Sequence, residues 1–268
     1  MVTDVQNQPQ GVIDPQELQP YPVAKGVVAT LKRTAYQHRH DFHYLRRTQW
    51  RLIEEYLQPG PGEYICDVAS GDGYYSRKMA ARGARVAAID LDPQRIANAL
   101  TYHNVPGVEY RLGNAEALPY ADHTFDKVVS VCALEHFHNP QAAINEAFRV
   151  LKPGGRLVLH VDSFTYREIT PAIREHHRVH YYVENFWTTP SLTQVVTTAG
   201  FRVDKHRYAF HSPLAHRLFV WGEMRGFTGF PFLAMFPFGY PAVRISDWLW
   251  GRREEGYDLF MHATRPRE

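Results

Sequence analysis

Asp67-Val68-Ala69-Ser70-Gly71-Asp72-Gly73-Tyr74 is the stretch on which the reading of this chain turns. The apolar run Tyr64-Ile65-Cys66 leads into it, and Tyr75 to Ala81 continues it as a helix start. A strand, a small-residue turn and a helix form the geometry that lets a backbone approach a nucleotide-like ligand. Gly71 and Gly73 carry no Cβ, so they can take positive φ and leave room beside the chain. The N–H groups at the helix start can then meet a polar or anionic group. By itself such a turn is common, and similar loops bind NAD or bind nothing.

At 268 residues the chain is long enough for one large α/β domain with additions. Its 44% apolar and 22% charged composition is that of a globular protein. A net charge of +2, with both signs interleaved, offers no basic stripe for nucleic acid. Cys66 and Cys132 lie in apolar strand-like runs and read as buried reduced thiols, not as a disulfide. The N-terminus has no basic-then-apolar signal pattern, which points to the cytoplasm. Residues 1–24, rich in Gln and Pro, read as a flexible arm, and 25–268 as a single domain.

Working outward from the turn, a helix is expected over 30–58, stopped by Pro59-Gly60-Pro61-Gly62. Strands are expected at 63–68, 85–90, 108–112, 126–132, 155–161, 201–208 and 257–264. Helices fall between them near 74–82, 93–103, 140–150 and 189–199. Asp92-Pro93, Asn139-Pro140 and Thr189-Pro190 are helix-start signals: a capping side chain, then proline at the first helical position. This alternation predicts an α/β fold, a doubly wound and mostly parallel sheet covered on both faces. Ligands bind such sheets at the carboxyl ends of the strands.

Asp90 closes the second strand, 17 residues beyond Gly73, near the spacing at which an acidic residue meets a ribose hydroxyl pair. Leu91 can then cover an adenine face, while Asp92 caps the next helix. Gly113-Asn114-Ala115-Glu116-Ala117-Leu118-Pro119-Tyr120 follows the third strand. The fourth segment is Phe125 to Phe137, and the fifth is Arg149-Val150-Leu151-Lys152-Pro153-Gly154-Gly155-Arg156-Leu157.

In this order and spacing, the five segments resemble the class I S-adenosylmethionine-dependent methyltransferases, in particular the small-molecule type that includes quinone and sterol methylating enzymes. The resemblance covers about 40–208, with the last strand extending it. It implies a seven-stranded Rossmann-like sheet whose last strand is antiparallel and inserted between the fifth and sixth. It implies S-adenosyl-L-methionine as cofactor. Asp67 and the loop residues Ala69, Ser70, Gly71 and Gly73 would hold its methionine end. Asp90 would hold the ribose and Leu91 would line the adenine. Asn114, Ala115 and Glu116 would surround the adenine edge, and the Cys132 backbone would lie near the methionyl amine. Ala69 stands where the family usually has its first glycine, and Asn114 where an aspartate is more frequent; neither departure looks inactivating. The rival dinucleotide fingerprint requires a glycine at position 76, which is Ser76.

Methyl transfer from a sulfonium is an in-line displacement, so positioning dominates, and a hydroxyl acceptor would gain from a general base. His136, just past the fourth strand, is the candidate base. The cluster His176-His177-x-x-His180 follows the fifth strand and reads as an ordinary stretch before the next helix. His38-x-His40-x-x-His43 and His136-x-His138 could offer imidazoles to a metal, but no Cys or carboxylate set completes a recognisable pattern. No metal site is expected.

Residues 209–252 form an aromatic insertion before the last strand. Gly226 to Val243 holds no charged residue and six Phe or Tyr side chains. Pro231, Pro237 and Pro241 are expected to break any helix through it, which argues against a membrane span. Three uses fit: a lid over the acceptor, a homodimer surface, or a peripheral membrane contact flanked by Arg217, Arg225, Arg244, Arg252 and Arg253. Two functions follow. One is O-methylation of a hydrophobic small-molecule or lipid-like acceptor, with C-methylation of a quinone-like acceptor as the variant. The other is a non-catalytic cofactor-binding scaffold of the same fold.

Overall fold

The computed structural model describes residues 44–223, 236–251 and 253–267, together with Thr30, Thr34, Tyr36, His38 and Asp41. The expected arm and the central part of the aromatic insertion lie outside the described residues. Seven strands are present: β1 (Tyr64–Val68), β2 (Arg85–Asp90), β3 (Val108–Leu112), β4 (Phe125–Val131), β5 (Leu151–Asp162), β6 (Arg202–Ala209) and β7 (Asp258–Thr264). They form one sheet in the order β3-β2-β1-β4-β5-β7-β6. The β1–β5 pairings are parallel, and β7 runs antiparallel to both β5 and β6. The inserted antiparallel last strand is therefore as expected.

The helices are α1 (Tyr44–Leu57), α2 (Tyr74–Ala80), α3 (Pro93–Tyr102), α4 (Pro140–Val150), α5 (Pro171–Tyr181), α6 (Thr189–Thr198), α7 (Pro213–Glu223) and α8 (Phe236–Trp250). Two of the three expected helix starts follow the sequence signals, and the third shifts by one residue. The Asp92 side chain accepts from the Gln94 and Arg95 N–H groups, and Asn139 accepts from Ala142, each with proline next. Thr188, not Thr189, caps α6, through a reciprocal pair with Ser191.

Two cores flank the sheet because side chains alternate along each strand. Ile65, Val86, Val129, Val158 and Phe260 face one side, under α1, α2 and α3. Cys66, Ala87, Val128, Leu157 and Met261 face the other, under α4 and α6. Near-continuous burial of the inner strands is what coverage on both faces requires.

Three expectations need correction. β5 begins at Leu151, not 155, because Leu151 already pairs with Phe125 before a register shift. The segment with His176, His177 and His180 is itself helical, α5; His177 packs edge-on to Phe164 while His176 and His180 stack one turn apart. Proline does not end the helix near the insertion: α8 contains Pro237 near its start and Pro241 inside. Pro237 sits where the N–H lacks an intrahelical partner, and Pro241 forfeits one bond while Val243 and Ser246 anchor the helix by burial. No helix of the described residues is long and apolar enough to cross a membrane.

Candidate functional site

The parallel strands end together, and the predicted residues gather along that rim. Asp67, next to last in β1, shares the parity of Ile65, so its side chain turns under α2. There Ser76 Oγ donates to Asp67 Oδ2. Asp67 is 1% exposed, and burial pushes its carboxyl up to about 7, the Ser76 bond opposing and the nearby Asp90 adding to the rise. Asp67 thus braces the loop from beneath, tying β1 to the first turns of α2.

The loop is held at every step. Ser70 N–H donates to Ile89 O at 2.9 Å and Gly73 N–H to Ser70 O at 3.1 Å. His103 Nδ1 lies 2.6 Å from Asp72 O. The two glycines have different tasks. Gly71, at φ 59°, would place a Cβ against nothing nearer than Arg95 Nη1 at 3.7 Å, so its open side is available to a ligand. Gly73, at φ 83°, would drive a Cβ into Tyr110, whose ring carbons stand 2.7 and 2.8 Å away. The room beside Gly73 belongs to the protein itself.

Asp90 ends β2 as expected. Its Oδ2 accepts from Gly71 N–H at 2.8 Å and its Oδ1 from Asp92 N–H at 2.9 Å. Burial raises its pKa against those two donors. Each carboxylate oxygen retains a second lone pair, so a vicinal diol can still bind the clasped group. Leu91 follows, 59% exposed, an apolar face held at the rim beside that acid.

Asn114 is exposed and its Oδ1 accepts from Glu116 N–H at 2.9 Å; Ala115 is buried. Glu116 Oε1 accepts from Asn139 N–H at 3.1 Å, fastening this turn to the start of α4. The Asn114 oxygen is thus partly committed to its own turn, which leaves the side-chain NH2 as its fresh donor. Ala69 and Cys132 both take left-handed backbone, at φ 58° and 50°. The Cys132 N–H donates to His160 O at 3.0 Å, so what Cys132 offers an amine is its carbonyl.

His136 ends a short 3-10 turn, Leu134–His136, and is exposed. Its Nδ1 lies 3.1 Å from Tyr182 O. An Nδ1–H donated to that carbonyl places the basic lone pair on Nε2, the tautomer a general base needs. His138 turns instead to Glu184, 2.9 Å away. His38 pairs with Asp41 at 2.8 Å, whereas His40 and His43 lie outside the described residues. The described members of the two groups, His38, His136 and His138, thus each face a different protein neighbour.

Beneath the rim lies a buried polar network that sequence spacing did not reveal. Cys132 Sγ is 3.1 Å from His160 Nδ1, and His160 Nε2 is 2.9 Å from Asp258 Oδ2. Gln49 Nε2 donates to Asp258 Oδ2 at 3.0 Å, Tyr75 Oη to Gln49 Oε1 at 2.8 Å, and Arg46 Nη1 to Tyr75 Oη at 3.3 Å. Glu135 and Asp162 border it, and burial raises both carboxyl pKa values, that of Glu135 strongly. Burial likewise raises the Cys132 thiol. The one signal in the sequence is that Asp162 closes its strand as Asp90 closes β2.

This architecture, strand order and acid-clasped glycine loop define a class I methyltransferase fold. Residues 66–159 match the family model described as a methyltransferase domain, so the resemblance holds in sequence as well as in fold. Among curated relatives, demethylmenaquinone methyltransferase of Tropheryma whipplei is 35% identical over 133 residues, covering 49% of this chain and 55% of that protein. The chain thus spans about half the length of that relative. Phosphoethanolamine N-methyltransferase 2 of Haemonchus contortus, solved with S-adenosyl-L-methionine, superposes with a TM-score of 0.59 at 17% identity, over 82% of this chain and 52% of that one. The [4+2]-cyclase SpnF reaches 0.60 at 20% identity, over 83% of this chain and 82% of that one. At such identities the likeness is one of fold, and the cyclase shows that the fold alone does not name a reaction.

Proposed function

We propose that this chain transfers the methyl group of S-adenosyl-L-methionine to an apolar, aromatic acceptor. The observation that carries the reading is the Asp90 carboxylate clasped to Gly71 beside exposed Leu91, inside the segment that matches a methyltransferase domain. Gly71 and Ser70 would border the methionine end, Asp90 would take the ribose hydroxyls, and Leu91 with the Asn114–Glu116 turn would enclose the adenine. The cofactor supplies an electrophilic methyl group; the chain orients it and keeps water from it.

Oxygen is the proposed acceptor atom, with His136 Nε2 taking the hydroxyl proton. The demethylmenaquinone methyltransferase relatives favour a second reading, carbon methylation of a quinone-like ring. Both share an apolar acceptor. The outer face of α8 supports this: Ile245 and Trp248, one turn apart, are 55% and 76% exposed, while Trp250 lies on the Ser246 side of the helix near Arg217. An exposed aliphatic and indole pair suits a lipid surface, from which a lipid-soluble acceptor would enter.

Calorimetry with S-adenosylmethionine and S-adenosylhomocysteine is the first test. Both are expected to bind at a single site; absence of heat for either at millimolar concentration sinks the proposal. Turnover on a panel of phenols, hydroquinones and quinones then separates oxygen from carbon transfer by the mass and fragmentation of the product.

A further inference from the structure

The acids that follow β4 and end β5, Glu135 buried and Asp162 half-buried, are poorly matched by donors. Asp162 stands directly opposite Asp258 in the antiparallel register, an unfavourable placement for two carboxylates. Asp258 accepts from Gln49 and has His160 Nε2 within 2.9 Å. The other side is less well supplied. Glu135 is fully buried; its Oε1 accepts the Asp162 N–H at 3.3 Å, while Oε2 has no hydrogen-bond partner among the described residues. Cys132 Sγ and a carboxylate oxygen from each of Glu135 and Asp162 lie within 4.8 Å of one another.

We propose that Cys132, Glu135 and Asp162 form a binding site for a divalent transition-metal ion of the zinc class. One sulfur and two carboxylate oxygens are a ligand set that zinc accepts, and a fourth position would remain open. A bound ion would draw such ligands to about 3.5 Å from each other, a contraction that side-chain rotation can supply. His160 Nδ1, 3.1 Å from the sulfur, is an outer-layer group of the kind that supports a metal-bound thiolate. The ion would answer the excess of carboxylates and give the partnerless Glu135 oxygen a ligand. Cys132 and Glu135 are close in sequence, but Asp162 joins them only through the β4–β5 pairing, so no spacing motif announces the set.

Metal binding here stands apart from the methyl-transfer reading; only its use, to coordinate an acceptor hydroxyl, rests on that reading. The full chain, stripped with a chelator, is titrated with Co²⁺ and followed by sulfur-to-cobalt charge-transfer absorption. The expected result is a saturable band at one site, retained in Cys66→Ala, lost in Cys132→Ser and displaced by Zn²⁺. Glu135→Gln should weaken binding by roughly tenfold or more. Far-ultraviolet circular dichroism checks that each variant is folded. A wild-type protein without the band overturns the site, as does a band that survives Cys132→Ser in a folded protein. If the two carboxyls merely share a proton, Glu135→Gln will raise the melting temperature with no metal effect in the wild type. That outcome also overturns it. Calorimetry with S-adenosylhomocysteine reads the cofactor site independently, so the two failures are distinguishable.

Discussion

Two glycines two residues apart, both at positive φ, look equivalent in the sequence and are not. At Gly73 a methyl group meets the Tyr110 ring, and at Gly71 it makes only an ordinary contact with Arg95 Nη1 at 3.7 Å. Gly73→Ala is expected to cost about 3 kcal/mol, combining overpacking with a left-handed penalty. Gly71→Ala should cost only about 1 kcal/mol in stability yet weaken cofactor binding. Urea unfolding of both variants, with S-adenosylhomocysteine calorimetry on each, separates the roles. Equal stability losses would remove the distinction.

Asp67 supplies a pH signature. Its folded pKa of about 7 stands above the ordinary 3.8, so the folded state binds the proton more tightly. This contribution to stability is full below about pH 4 and is lost as pH rises through 7. Asp67→Asn keeps a partner for Ser76 and removes the titration. The wild-type minus variant difference in unfolding free energy should therefore fall between pH 4.5 and 7.5, and a flat difference would contradict the burial argument. His136→Gln is expected to lower turnover by roughly 10²–10⁴-fold with S-adenosylhomocysteine affinity unchanged. Equal turnover retires His136 as base.

Among the elements, α8 differs most from what its residues predicted. Prolines near its start and in its interior pointed to a broken segment, but one lost hydrogen bond is small beside the burial of Val243 and Ser246. Tertiary anchoring outweighs local propensity here. The face left outside carries Ile245 and Trp248 one turn apart, where their spacing puts them side by side. Ile245→Glu with Trp248→Ala is expected to abolish flotation on anionic vesicles while changing stability by less than about 0.5 kcal/mol each. Vesicle binding unchanged by the pair, or absent from the wild type, removes the lipid contact and leaves the acceptor reading to the enzyme assays.

Across the whole molecule, β7 closes the structure. Entering antiparallel between β5 and β6, it carries Asp258 to the rim beside His160, and Gln49 of α1 reaches the same oxygen. Three segments distant in sequence are thereby joined by one carboxylate. Asp258→Ala should destabilise by roughly 1–3 kcal/mol, since it leaves buried donors unmet, and Asp258→Asn should recover part of the loss. Thermal melts of the pair test this; a neutral alanine variant would mean that water fills the position.

Much of this was legible beforehand. Apolar runs of strand length, capping residues before proline and the acid at the end of β2 are local signals, each spelled out within a few consecutive residues. They determined the class of fold, the place of the glycine loop and the acid that ends β2. What the tertiary structure alone decided is which side chains meet: Tyr110 against Gly73, Ser76 under Asp67, and Asp162 and Asp258 face to face beside Glu135 and Cys132. Those meetings depend on strand order and register, which set residues as distant in sequence as Asp162 and Asp258 face to face. Local sequence sets the shape of each piece, but burial of two opposed cores sets how the pieces are aligned.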